Sequence, residues 1–251
     1  MNKINAIVLL RGLMREHRHW GDFSEKLKQS LPGLPIVALD VPGNGDLNEE
    51  KSKLNIHDVS EFLHQCMQQR YGKNYKVAIV SISMGAMVAL DWANSFRQHV
   101  LAITLINTSV AGYLPFYRRL KSQNYYKILK ALFSGIEQRE RLILEMTSNQ
   151  KIIPERLDER VNIAKSAPVK RINFIRQLIS AARFKICKQP DVAIQILYSK
   201  NDNLVDPKCS MVLAKEWGVE VAETCDGGHD LTLDNPDWVL QQFLIFYKGL
   251  N

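Results

Sequence analysis

Tyr75-Lys76-Val77-Ala78-Ile79-Val80-Ser81-Ile82-Ser83-Met84-Gly85-Ala86-Met87-Val88-Ala89-Leu90 is the stretch whose reading decides the fold. Its apolar, β-branched start, Val77 to Val80, reads as a buried strand. Its end, Ala86 to Phe96, is rich in Ala, Met and Leu and reads as a helix. Between them lies Ser81-Ile82-Ser83-Met84-Gly85, made mostly of small residues. A strand that turns this sharply into a helix places Ser83 at the tip of the turn. Its hydroxyl then stands beside a helix N-terminus, whose free N–H groups favour a developing anion.

Outward from this stretch the chain alternates. Ala6 to Leu10 is a continuous apolar run, as expected of a strand buried on both faces. Asp22 to Leu31 has helical spacing and stops at Pro32. Ile36 to Leu39 reads as a strand and is followed by the turn chemistry of Asp40-Val41-Pro42-Gly43-Asn44-Gly45. Ile56 to Tyr71 is an amphipathic helix with Asn55 as N-cap and Gly72 as terminator. His99 to Ile106 is the next strand. The β-α-β-α-β-α-β pattern up to about residue 110 implies a parallel sheet covered on both faces. Reactive groups then belong in the loops at the carboxyl ends of the strands. Arg11–Trp20, Asp40–Gly45 and Ser83 all occupy such loops.

Residues 112 to 188 break the alternation. Phe116–Phe133, Ile136–Ser148, Pro154–Ala164 and Val169–Phe184 read as helices, separated by Gly135, Pro154 and Pro168. Strand Val192–Tyr198, helix Pro207–Trp217, strand Glu220–Glu223 and helix Pro236–Tyr247 then resume it. The expected organisation is a core of residues 1–111 and 189–251, with a helical lid, 112–188, inserted over the carboxyl edge.

The length, 251 residues, allows one large α/β domain or two small ones, and 46% apolar and 24% charged content is ordinary for a soluble globular protein. No apolar run is long enough to span a membrane. The early apolar run is too short for a secretory signal, which points to the cytoplasm. The cysteines, Cys66, Cys187, Cys209 and Cys225, have no C-x-x-C spacing and read as free thiols, with Cys225 a small buried side chain. The net charge of +7 is unevenly spread. Residues 112–188 hold 17 Lys/Arg against 6 Asp/Glu, and the remainder holds 16 against 20. No aromatic-interleaved basic stripe accompanies this excess, which argues against nucleic acid. Solvated helix faces explain it, or else contact with an anionic substrate or acidic partner.

A serine nucleophile needs a base and a carboxylate behind that base, both at the same sheet edge. The loop after Val192–Tyr198 offers Asp202 and Asp206. The loop after the last strand offers His229, which follows Gly227-Gly228. Ser…Asp…His is the chain order of the α/β-hydrolases, whose nucleophile elbow is G-x-S-x-G.

Over nearly its full length the chain resembles that family. The matching motifs are Leu9-Leu10-Arg11-Gly12 with Trp20, Leu39-Asp40-Val41-Pro42-Gly43-Asn44-Gly45, Ser81–Gly85, Asp202 with Val205, and Gly227-Gly228-His229 followed by Asn235-Pro236. The resemblance implies Ser83 as nucleophile, His229 as general base and Asp202 as orienting acid. It implies oxyanion donors from the backbone N–H groups of Leu13 and Met84, and no metal or organic cofactor. Arg11 stands where the family usually has His. It either holds the oxyanion loop or meets a substrate carboxylate. Gly12 and His17 are weaker substrate-binding candidates, with His19 beside them at the pocket mouth. His57, His64 and His99 are expected to be solvated. Two strands that precede Ala6 in the family have no counterpart here, so the resemblance implies a compact α/β-hydrolase fold with a six-stranded, all-parallel sheet.

The implied activity is that of a lidded serine hydrolase, a carboxylesterase acting on a small ester. A basic lid suits an anionic substrate or one linked to an acidic carrier protein. A lyase of the menaquinone-synthesis type and a ligand-binding protein with vestigial activity are the alternatives. Oligomeric state is not legible.

Overall fold

The computed structural model describes residues 4–186 and 188–250. Cys187 lies outside them; Cys66, Cys209 and Cys225 are free thiols. Six strands form one sheet: β1 (Ala6–Leu10), β2 (Ile36–Leu39), β3 (Val77–Ile82), β4 (Val100–Ile106), β5 (Ala193–Ser199) and β6 (Val221–Thr224). Their order is β2-β1-β3-β4-β5-β6 and every pairing is parallel, as expected from the alternation. Strand order reverses at β1, between β2 and β3. The loops after β1 and β3 therefore open side by side, where α/β sheets bind ligands.

The helices are α1 (Gly21–Ser30), α2 (Ile56–Tyr71), α3 (Met84–Ser95), α4 (Phe116–Arg119), α5 (Asn124–Phe133), α6 (Ile136–Thr147), α7 (Pro154–Ser166), α8 (Arg171–Arg183), α9 (Lys208–Trp217), α10 (Leu231–Asp234) and α11 (Pro236–Lys248). Side-chain alternation along β1 divides the core. Ala6, Val8 and Leu10 face one apolar layer with α2, α3 and α9; Ile7 and Leu9 face another with α1 and α11. All five are fully buried, which explains the unbroken apolar run. Burying each Val, Leu or Ile contributes about 1.5–3 kcal/mol. Asn55 caps α2 by accepting from the Asp58 N–H at 2.8 Å.

Helices α4 to α8 fill the interval between β4 and β5. The single helix expected over Phe116–Phe133 is two. Leu120 forms an antiparallel bridge with Val205, and the Lys121 N–H donates to the Leu204 carbonyl at 3.0 Å. These contacts hold the backbone extended between α4 and α5, a tertiary effect that helix propensity does not register.

Two expectations about solvation are corrected. His64 and His99 are buried. His99 stacks on Tyr75 and His64 stacks on Phe96, while His64 meets the Tyr75 ring at a tilt. His64 Nδ1 lies 2.6 Å from the Tyr75 hydroxyl, and His99 Nδ1 lies 3.0 Å from the Tyr75 carbonyl. Cys225 is exposed rather than buried, because it follows the edge strand β6.

Candidate functional site

The loop after β3 holds Ser83 at φ 57°, ψ −119°, a conformation that L-residues adopt only under constraint. Three contacts impose it. The Ser83 N–H donates to the Ile106 carbonyl at 2.9 Å. Ser81 occupies the usual first glycine position of the elbow, fully buried, with its hydroxyl donating to the Thr104 carbonyl at 2.9 Å. Gly85 lies so close to the end of β1 that a Cβ there would sit 2.4 Å from the Leu10 carbonyl oxygen. Only glycine lets α3 start this near β1, and that start brings the β1 loop against the serine. A Cβ on Gly12 would lie 3.1 Å from Ser83 Cβ. Among the described residues, the Ser83 side chain has no hydrogen-bond partner; it faces an open cavity.

Leu13 and Met84 line the same cavity as Ser83. Met84 is the first residue of α3, so its N–H has no intrahelical acceptor. Leu13 donates to no protein acceptor among the described residues. The next residue, Met14, sits at φ 58°, and its N–H is held by Gln177 Oε1 at 3.0 Å. That bond fixes the loop from α8.

Asp202 and His229 come together from the loops after β5 and β6. His229 Nδ1 is 2.7 Å from Asp202 Oδ2, with both side chains buried. Asp202 Oδ1 accepts the N–H groups of Leu204 at 2.8 Å and Val205 at 2.9 Å. The carboxylate is thus fixed on one oxygen and paired with imidazole on the other. Asp206, the other acid of this loop, accepts the Lys208 N–H at the start of α9. Asn107, at the end of β4, joins the two loops. Its Nδ2 donates to the carbonyls of His229 at 2.8 Å and Gly228 at 3.2 Å, and its Oδ1 accepts the Ser199 N–H at 2.9 Å. It too has a positive φ, 46°. Sequence reasoning missed Asn107; its position at a strand end in Asn107-Thr108-Ser109 was the available signal.

Arg11 is buried and turned towards the histidine loop. Its Nη1 and Nη2 reach Asp230 Oδ1 at 3.1 Å and Oδ2 at 2.5 Å, and Nη1 also donates to Thr232 Oγ1 at 2.7 Å. Its guanidinium lies 5.1 Å from the Trp20 ring centroid. Burial by itself would raise the Asp230 carboxyl; Arg11, Arg160 and the Thr232 hydroxyl outweigh it and hold the group well below the usual carboxylate range.

The two loop histidines lie off the cavity. His17 Nδ1 is 2.7 Å from Asp40 Oδ2, in the turn after β2. His19 is buried and accepts the Glu16 N–H at 3.1 Å through Nδ1. Burial, reinforced by Arg15, Arg160 and Arg11, holds it neutral.

The cavity measures about 310 Å³. Arg11, Gly12, Leu13, Ser83, Met84 and His229 line its floor, and side chains of α5, α6 and α8, including Ile128, Ala131, Ile143, Met146, Phe174 and Leu178, wall it. Its wall is mostly aliphatic. Three arginines reach it, and each is already engaged: Arg11 by Asp230, Arg15 by Glu140 at 2.6 Å, and Arg119 by the carbonyls of Ser109 and Ala181, both at 3.2 Å. The excess positive charge of residues 112–188 is therefore not concentrated in the cavity.

No helix among the described residues is long and apolar enough to cross a membrane. A search of curated protein sequences finds no match. Solved structures with the same fold are numerous and distant. The enol-lactonase of Burkholderia xenovorans LB400 superposes with a TM-score of 0.80 at 15% identity, over 98% of this chain and 92% of that one. The 2-hydroxy-6-oxo-6-phenylhexa-2,4-dienoate hydrolase of Rhodococcus sp. RHA1 gives 0.77 at 18% identity, over 99% and 92%. A thermophilic esterase of Thermogutta terrifontis gives 0.76 at 15% identity, over 98% and 90%. The family model described as alpha/beta hydrolase fold matches residues 5–236, and with the six-stranded parallel sheet it establishes that the chain belongs to the α/β-hydrolase fold family.

Proposed function

We propose that the protein is a serine hydrolase of the carboxylesterase type, in which Ser83, His229 and Asp202 form the catalytic triad. The observation that carries this reading is the buried His229–Asp202 pair, with His229 lining the same cavity as Ser83. Ser83 Oγ attacks the ester carbonyl carbon while His229 Nε2 takes its proton. Asp202 accepts the Nδ1–H and stabilises the imidazolium. The carbonyl oxygen becomes an oxyanion held by the Leu13 and Met84 N–H groups, each such donor contributing about 3–4 kcal/mol to the barrier reduction in comparable enzymes. The alcohol leaves with the proton from His229. Water, activated by the same imidazole, then releases the acid and restores Ser83.

Helices α4 to α8 serve in this reading as a cap that supplies the acyl pocket. Its aliphatic wall suits an apolar acyl chain. The test is a panel of p-nitrophenyl esters from acetate to dodecanoate, run beside Ser83→Ala. Turnover with a burst, fluorophosphonate labelling at Ser83, and loss of both in Ser83→Ala are expected. A folded wild-type protein that turns over no ester of any length overturns the reading.

A further inference from the structure

Helix α5, Asn-Tyr-Tyr-Lys-Ile-Leu-Lys-Ala-Leu-Phe, is apolar on two faces. Ile128 and Ala131 point into the cavity. On the outer side Tyr126, Leu129 and Phe133 are 72%, 56% and 67% exposed. Spacings of three, four and seven residues put these three on one stripe. A second apolar stripe on a helix normally belongs in an interior, yet here it faces outward.

Helix α8 repeats the arrangement. Phe174 and Leu178 line the cavity, while Ile172 and Ile175 are exposed, Ile172 at 53%. The Arg171 side chain reaches the Phe133 carbonyl at 3.5 Å, so the start of α8 adjoins the end of α5 and the two stripes meet. Exposed cations sit among them: Lys130 between Tyr126 and Phe133, Arg171 beside Ile172, and Arg183 at the far end of α8.

We propose that this outer face of α5 and α8 docks on an anionic lipid surface. Two features select that occupant. Tyr, Phe, Leu and Ile set among Lys and Arg are the composition of a helix that lies in the lipid–water interface, its apolar side chains among acyl chains and its cations at headgroup phosphates. The exposed cations of this face, Lys130, Arg171 and Arg183, attract an anionic surface and repel a second copy presenting the same face. Because α5 and α8 also wall the cavity, docking would set the cap against the membrane.

The test is cosedimentation of the full-length protein with vesicles of phosphatidylcholine alone or with about 30% phosphatidylglycerol. Binding to the anionic vesicles is expected to exceed that to neutral ones by about ten-fold and to weaken near 0.5 M salt, roughly where surface attraction is screened. Leu129→Ser with Phe133→Ser is expected to abolish binding while turnover of a soluble short-chain ester and the unfolding temperature stay unchanged. Lys130→Glu with Arg171→Glu reads the charge contribution separately and is expected to weaken binding alike. Ser83→Ala is expected to bind vesicles as the wild type does, so failure of the docking surface and failure of the proposed chemistry are told apart. Absence of sedimentation with anionic vesicles overturns the proposal, as does binding unaffected by the apolar double variant. Self-association of the wild type that the same variant dissolves also overturns it, in favour of a second copy.

Discussion

Arg11 and Asp230, 219 positions apart, meet in a buried two-point ion pair that ties the loop after β1 to the loop after β6. The first loop carries the Leu13 N–H and the second carries His229, so the pair sets the spacing between the proposed oxyanion donor and the proposed base. Arg11→Gln takes from the buried Asp230 carboxylate its two-point partner and leaves it only the influence of Arg160, a break that costs up to about 3–5 kcal/mol. Urea unfolding should show a loss of that size. Arg11→Met combined with Asp230→Leu removes both charges and should recover most of the stability. Ester turnover should not recover with it, because apolar packing does not fix the loops as a bidentate pair does.

Asn107 does similar work between the loops after β5 and β6. Asn107→Ala removes the donor that holds the His229 and Gly228 carbonyls and the acceptor of the Ser199 N–H. The expected result is a fall in kcat of about ten- to hundred-fold with KM little changed, since small displacements of reacting groups carry penalties of that order. Steady-state kinetics on a soluble ester measures the split.

Gly12 lies against Ser83, the proposed nucleophile. A methyl group there stands 3.1 Å from Ser83 Cβ and 3.5 Å from its Oγ, and either Ser83 or the β1 loop must yield. Gly12→Ala should lower kcat/KM by about ten-fold or more, with circular dichroism and unfolding temperature close to wild type. Equal activity would show that the loop has slack the geometry does not suggest.

His64 makes stability depend on pH. Burial, with His99 beside it, lowers its pKa to about 4, against about 6.5 in the unfolded chain. Between those values the unfolded state binds a proton that the folded state refuses. Stability is therefore full above about pH 6.5 and declines as the pH falls towards about 4. His64→Phe keeps the stack on Phe96 and removes the titration, while the Tyr75 hydroxyl retains the Trp92 indole N–H at 3.1 Å. Thermal melts near pH 7 and near pH 5 should show a smaller difference in the variant.

What the sequence discloses follows how local each cause is. The strands of the inner sheet are legible because parallel strands buried on both faces must be apolar throughout, as Ile7 to Leu10 and Ile79 to Val80 are. The elbow is legible because close approach to β1 demands glycine at position 85. Helix α2 can be bounded to the residue, since Asn55 and Gly72 act through their own backbone neighbourhood. The gap between α4 and α5 is invisible in sequence, because the partner of Leu120 lies at Val205. The burial of His64 and His99 depends on Tyr75 and Phe96 arriving from other elements. Arg11 shows the same limit: its residue type allows a substrate contact or a structural one, and its partner Asp230 comes from the far end of the chain.

Met14, Ser83 and Asn107 are the non-glycine residues with positive φ among those described, and each stands at the carboxyl end of a strand or in the loop that follows it. Left-handed backbone at such side chains is costly, about 1–3 kcal/mol each, and it is concentrated around one cavity. The molecule is therefore under tension where the proposed chemistry is placed. Met14 is packed in the core and Asn107 is hydrogen-bonded through its side chain, so a laboratory selection for heat resistance alone would reward glycine at Ser83, and the survivor should be sturdier and inert.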